Sequence, residues 1–119
     1  MEMPNGIIRE VLKTDEYEQY FQSLDIRTQA KYDYAIQLMQ TQKIVSTKFV
    51  KKIEKTDFYE VRVSIGTNEY RTMLIAADNP NFMEAKQVVL LNSFLKKDSK
   101  QYKREIEKAR TIIEREEII

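Results

Sequence analysis

A chain of 119 residues carrying 20 Lys plus Arg, 19 Asp plus Glu, no Cys and no His has room for one domain, residues 1–119, built around one core. Without Cys or His, disulfides, thiolate nucleophiles and the usual zinc ligand sets are excluded. Only 2 Gly and 2 Pro beside 42% hydrophobic residues argue against disorder and fibrous repeats. No apolar run is long enough to span a membrane, and the start MEMPNGIIREVLKTDE has acid where a signal peptide has a basic region. The expectation is a cytoplasmic globule with no membrane contact.

The net charge of +1 hides a gradient. Residues 1–47 hold 5 basic and 7 acidic side chains, and residues 48–85 hold 6 of each. Residues 86–110 hold 8 basic against 3 acidic, and residues 111–119 hold 1 against 3. The Lys-rich stretch is a candidate phosphate-facing surface, since such contacts depend on local potential more than on total charge.

In chain order, a short segment with Pro4, Asn5 and Gly6 precedes a helix over Thr14–Leu24, where Tyr17, Tyr20, Phe21 and Leu24 recur at helical intervals. Asp25 then caps a longer helix to about Lys43, with Ile26, Ala30, Tyr34 and Leu38 as its core stripe, widened by Ala35 and Met39, and with Ile36 off it. The two helices form a hairpin whose aromatic residues, Tyr32 and Tyr34 included, pack on a sheet. A strand is predicted near Thr47–Ile53, then a clearer one in DFYEVRVSIG. There Tyr59, Val61, Val63 and Ile65 share one face, and Phe58, Glu60, Arg62 and Ser64 the other. EYRTMLIAA follows with Tyr70, Thr72, Leu74 and Ala76 opposite Glu69, Arg71, Met73 and Ile75. A two-residue loop at Thr67 and Asn68 pairs Gly66 with Glu69 and keeps Glu60, Arg62 and Arg71 on one face. QVVLLNSFL, apolar on both faces, reads as a central strand, and a C-terminal amphipathic helix over Ser99–Glu117 carries Tyr102, Ile106, Ala109, Ile112 and Ile113. The order ααββββα gives an α+β fold: an N-terminal helical hairpin on a curved, mainly antiparallel sheet of about four strands, with a C-terminal helix.

No GxxxxGK[ST] or GxGxxG loop is present and no carboxylate spacing suits a metal, so neither cofactor nor metal is expected. What converges is Glu60, Arg62 and Arg71 on one sheet face, followed by Lys96, Lys97, Lys100 and Tyr102. RNA scission by its own 2′-hydroxyl needs a base, an acid and stabilisation of the pentavalent phosphate, and no metal. Arginine suits the phosphate because its fork of donors never deprotonates. Glu60, Lys96 and Tyr102 are the candidates for proton transfer, Tyr102 as an orienting or stacking residue if its phenol stays near 10. Against this, Glu60 with Arg62 also reads as a surface pair and the lysines as guards beside an apolar strand.

FYEVRV, a turn, EYRTMLI, then VVLLNSFLKKDSKQY and a helix with IEKA resemble the RelE/HigB superfamily of bacterial type II toxins, in particular its phage-related Gp49-like branch. The resemblance covers residues 48–113. It implies a metal-independent mRNA interferase, acting on mRNA in association with the ribosome and silenced by a cognate antitoxin. By position, Arg71 matches the arginine holding the scissile phosphate, Arg62 a residue on the RNA backbone, and Lys96 and Lys97 the paired lysines after the central strand. Tyr102 approximates the family's late tyrosine, and Lys100 and Lys103 add RNA-facing charge. FLKKDSKQY departs from the family in lacking the proline often found after the lysines. The alternatives are a non-enzymatic relative or nucleic-acid-binding regulator, and a gyrase-directed ParE-like toxin.

Overall fold

In the computed structural model, residues 6–118 are described, so Pro4 and Asn5 of the expected N-terminal segment lie outside the described residues. The order is β1 (Glu10–Lys13), α1 (Asp15–Gln22), α2 (Ile26–Thr41), β2 (Val50–Lys52), β3 (Phe58–Ile65), β4 (Asn68–Ala76), β5 (Gln87–Lys96) and α3 (Gln101–Glu116). The strands form one sheet in the order β1-β5-β4-β3-β2, antiparallel except for the β1–β5 pair. The α+β architecture is therefore as expected, with one strand more than the four predicted. Four residues with a single apolar pair, Val11 and Leu12, carry too little periodicity to announce β1, which is defined by its pairing to β5.

Local chemistry sets the helix starts. Thr14 Oγ1 accepts from the Tyr17 amide at 3.2 Å and also donates to the carbonyls of Leu90 and Leu91 on β5. Asp25 accepts from the Thr28 amide at 2.8 Å, capping α2 as predicted. The buried side chains of α2 are Thr28, Tyr32, Ala35, Ile36 and Met39. This corrects the expected stripe: Ile36 is in the core, whereas Ile26 is 84% and Tyr34 55% exposed. Two apolar stripes run along this helix, and the sheet takes the one that also carries Tyr32, whose hydroxyl meets Thr72 Oγ1 at 2.9 Å.

Both sheet faces are covered. Val61, Val63, Leu74, Val88 and Leu90 pack against the α1–α2 hairpin. Phe58, Met73, Ile75, Val89, Leu91 and Phe94 pack against Ala109 and Ile112 of α3. Burying each such side chain contributes roughly 1.5–3 kcal/mol. The β3–β4 loop does have two residues, but they are Gly66 and Thr67: Ile65 pairs with Asn68 and Arg62 with Arg71. The register thus sits two residues from the predicted one with its facing preserved. Gly66, at φ 58°, takes the positive φ that the first position of a primed hairpin turn requires.

Arg9 ties the N-terminal edge together. Its guanidinium donates to the carbonyls of Met39 (2.6 Å), Gln42 (2.9 Å), Lys43 (3.1 Å), Met83 (3.3 Å) and Ala85 (3.1 Å). The same group lies 4.2 Å over the Phe82 ring. Burial lowers its pKa, opposed by the charge of Asp78. It stays cationic, since no arginine loses its proton in a protein.

Candidate functional site

A β-bulge in β5 assembles the site. Thr72 pairs with Ser93 but Leu74 with Leu90, so Leu91 and Asn92 together oppose Met73. The extra residue inverts the facing of everything after it. Phe94 comes opposite Arg71 and Lys96 opposite Glu69, on the α3 side of the sheet; without the bulge both would point at the helical hairpin. Asn92 is held in the bulge by two 3.0 Å bonds from its Nδ2, to the Glu105 carbonyl and to Glu105 Oε1 on α3.

Where α3 begins, the sheet face is open to solvent at its rim. Glu60 on β3 is the hub, 6% exposed. Its Oε1 accepts a 2.6 Å bond from the Tyr102 hydroxyl on α3. Its Oε2 lies 3.3 Å from Arg62 Nε and 3.6 Å from Arg71 Nε. Arg71 also donates to the Tyr70 carbonyl at 2.9 Å and to Glu69 Oε1 at 3.3 Å. The Tyr102 ring is set edge-on to Phe94, with centroids 5.4 Å apart, and Lys96 Nζ stands 5.8 Å from its centroid.

The expected quartet of Glu60, Arg71, Lys96 and Tyr102 is therefore brought together, with Arg62 beside it. Arg71 is 1% exposed and lies behind Glu60, and the more open Arg62 stands at the entrance. Lys97, Lys100 and Lys103 are exposed around the start of α3 and make no ion pair among the described residues. The Lys97 and Asp98 amides donate to Gln101 Oε1 at 2.5 and 3.0 Å. The helix has no acid in its first turn, so its positive dipole end adds to the lysines. Further along the helix the cations are engaged: Arg104 and Lys108 pair with Glu105, and Arg110 with Glu107.

The tyrosine hydroxyl does not keep its ordinary value near 10. Burial, together with its bond to the Glu60 carboxylate, pushes the Tyr102 hydroxyl up to about 12. At neutral pH it is a proton donor holding one carboxylate oxygen. Glu69, not predicted as part of the site, is held below the ordinary carboxylate range first by the Ser64 hydroxyl and then by Arg71. Its place on the Arg71 face follows from strand alternation, which was the available signal. Among the described residues no three Asp or Glu side chains converge as a metal ligand set, and no helix is long and apolar enough to cross a membrane.

Comparison with known proteins agrees with this architecture. A double-arginine mutant of the Escherichia coli toxin RelE, in its free state, superimposes with a TM-score of 0.61 over 90% of this chain and 99% of that one, at 12% identity. At that identity the likeness is one of fold. No functionally curated protein matches the chain in sequence. Residues 19–114, more than half of the chain, match the family described as phage derived protein Gp49-like (DUF891), and the chain belongs to that family.

Proposed function

We propose that the protein is the toxin of a type II toxin–antitoxin pair, a metal-independent endoribonuclease that cleaves mRNA in association with the ribosome. The observation that carries the reading is the convergence on Glu60 of Arg62, Arg71 and Tyr102 from three elements, with Lys96 beside them. The family membership and the RelE-like fold give it context.

In this mechanism a phosphate approaching past Arg62 competes with Glu60 for the two guanidiniums. Arg62 meets the phosphate first, and Arg71 stabilises the charge that grows on it as the pentavalent state forms. Glu60, displaced from the arginines, takes the proton of the 2′-hydroxyl, while Tyr102 orients it through Oε1. Lys96, or Tyr102 itself, protonates the leaving 5′-oxygen. Lys97, Lys100 and Lys103 draw in the RNA backbone.

One observation favours a second reading, a non-enzymatic relative that binds its partner or nucleic acid. Arg71 is buried and already engaged by Glu60, Glu69 and the Tyr70 carbonyl. Inducible expression in a bacterial host separates the readings. Growth arrest with site-specific mRNA ends, lost in a folded Arg62→Ala variant, supports cleavage. No arrest and intact mRNA support the binder, and arrest with intact mRNA but altered DNA topology supports a gyrase-directed toxin.

A further inference from the structure

The outer face of α2 carries an apolar stripe that the fold leaves uncovered. Ile26, Ala30 and Tyr34, spaced four apart and all exposed, stand on one line of the helix. Beside them lies a groove of about 420 Å³ between α2 and the β2–β3 edge. Its cations are Arg27 and Lys31 from α2, Lys48 before β2 and Arg62 from β3, and no acidic side chain lines it. Glu60 partly neutralises Arg62, which leaves three cations of the groove outside any ion pair among the described residues.

We propose that this groove is the docking surface for an acidic, amphipathic helical segment of a partner protein. An apolar stripe rimmed by cations is complementary to a helix with aliphatic residues on one face and Glu or Asp on its flanks. The proposal names the contact surface of the partner in the toxin reading and rests on that reading for the partner's existence. Single-stranded RNA fits less well, because stacking needs open ring faces. Phe49 and Tyr34 are already set against each other in edge-to-face contact at 5.9 Å, and Lys48 stands 5.7 Å from the Phe49 centroid. Ile26 and Ala30 offer a base nothing to stack on. Because Arg62 belongs to both the groove and the Glu60 cluster, an occupant here competes with RNA for that side chain.

The test uses the full chain and a short synthetic helical peptide, with leucines along one face and glutamates elsewhere, beside a same-composition control whose leucines are scattered. Fluorescence anisotropy should show the patterned peptide binding more tightly than the control. Tyr34→Glu and Lys31→Glu, at exposed positions that leave the core intact, should each weaken it roughly tenfold or more. Amide chemical shifts should move along residues 26–34 and 48–50. Absence of binding, equal binding of both peptides, or binding unchanged in the two variants would overturn the proposal. So would an oligoribonucleotide that shifts the same amides and is not displaced by the peptide. RNA cleavage is assayed separately on the wild-type chain: peptide binding without cleavage leaves the surface standing and removes the nuclease reading, and the converse removes the surface alone.

Discussion

Arg62 and Arg71 are directly opposed across β3 and β4, two like charges in a position where sheets place opposite ones. Glu60 Oε2, 3.3 Å from one Nε and 3.6 Å from the other, makes the arrangement tolerable. The same carboxylate thus holds the sheet together and guards the guanidiniums that a phosphate would use.

Glu60→Gln should therefore cost stability as well as activity. It leaves Arg71, almost fully buried, with Glu69 as its one ion-pair partner among the described residues, and breaking such a pair costs about 3 kcal/mol or more. Urea denaturation of the single variant should show that loss. The double variant Glu60→Gln/Arg71→Met should be more stable than the single, because the stranded charge is gone. A loss below about 1 kcal/mol in Glu60→Gln would mean that the pair is not coupled as described.

Alkaline pH reports on Tyr102. Its pKa in the folded chain, about 12, lies above the ordinary value near 10. Its contribution to stability is therefore complete below about pH 10 and is lost as pH rises toward 12. Tyr17 and Tyr32 are also raised, mainly by burial. The stability of Tyr102→Phe should accordingly fall less steeply over this window, by one titrating group. An identical slope in both chains would contradict the Tyr102–Glu60 bond.

Away from this cluster, Arg9→Met should destabilise by about 3 kcal/mol or more, because it strands five buried or half-buried carbonyls from the end of α2, the two residues after it and the segment before β5. Thermal denaturation with the Glu60 cluster intact is the check. A change within about 0.5 kcal/mol would show those carbonyls to be satisfied in another way.

Much of this architecture was legible in the sequence because it is written in short-range chemistry. Asp25 before a helical run, the alternation of Tyr59, Val61, Val63 and Ile65, and the stripe of Tyr102, Ile106 and Ala109 each announce their element. What was illegible depends on tertiary choice. The helix α2 carries two apolar stripes, and only the sheet beneath decides that Ile36 goes in and Tyr34 stays out. The bulge at Leu91 and Asn92 is stabilised by Thr14 and Glu105 from distant elements, so periodicity within QVVLLNSFL cannot reveal it, although it decides which way Lys96 faces. For the site, alternation was enough to place Glu60, Arg62 and Arg71 together. The depth of Arg71 was hidden because it depends on what α3 covers.

The most direct test of the Glu60–Arg62–Arg71–Tyr102 cluster as an RNA-cleaving site is the chemistry of the ends it leaves. With purified protein, ribosomes and a defined mRNA, the products should carry 2′,3′-cyclic phosphate and 5′-hydroxyl ends, with no cut where the nucleotide preceding the scissile bond carries 2′-deoxyribose. The folded Arg62→Ala variant should cleave at least roughly a hundredfold more slowly. No cleavage by the wild type with or without ribosomes, or cleavage that survives removal of the 2′-hydroxyl, would contradict it.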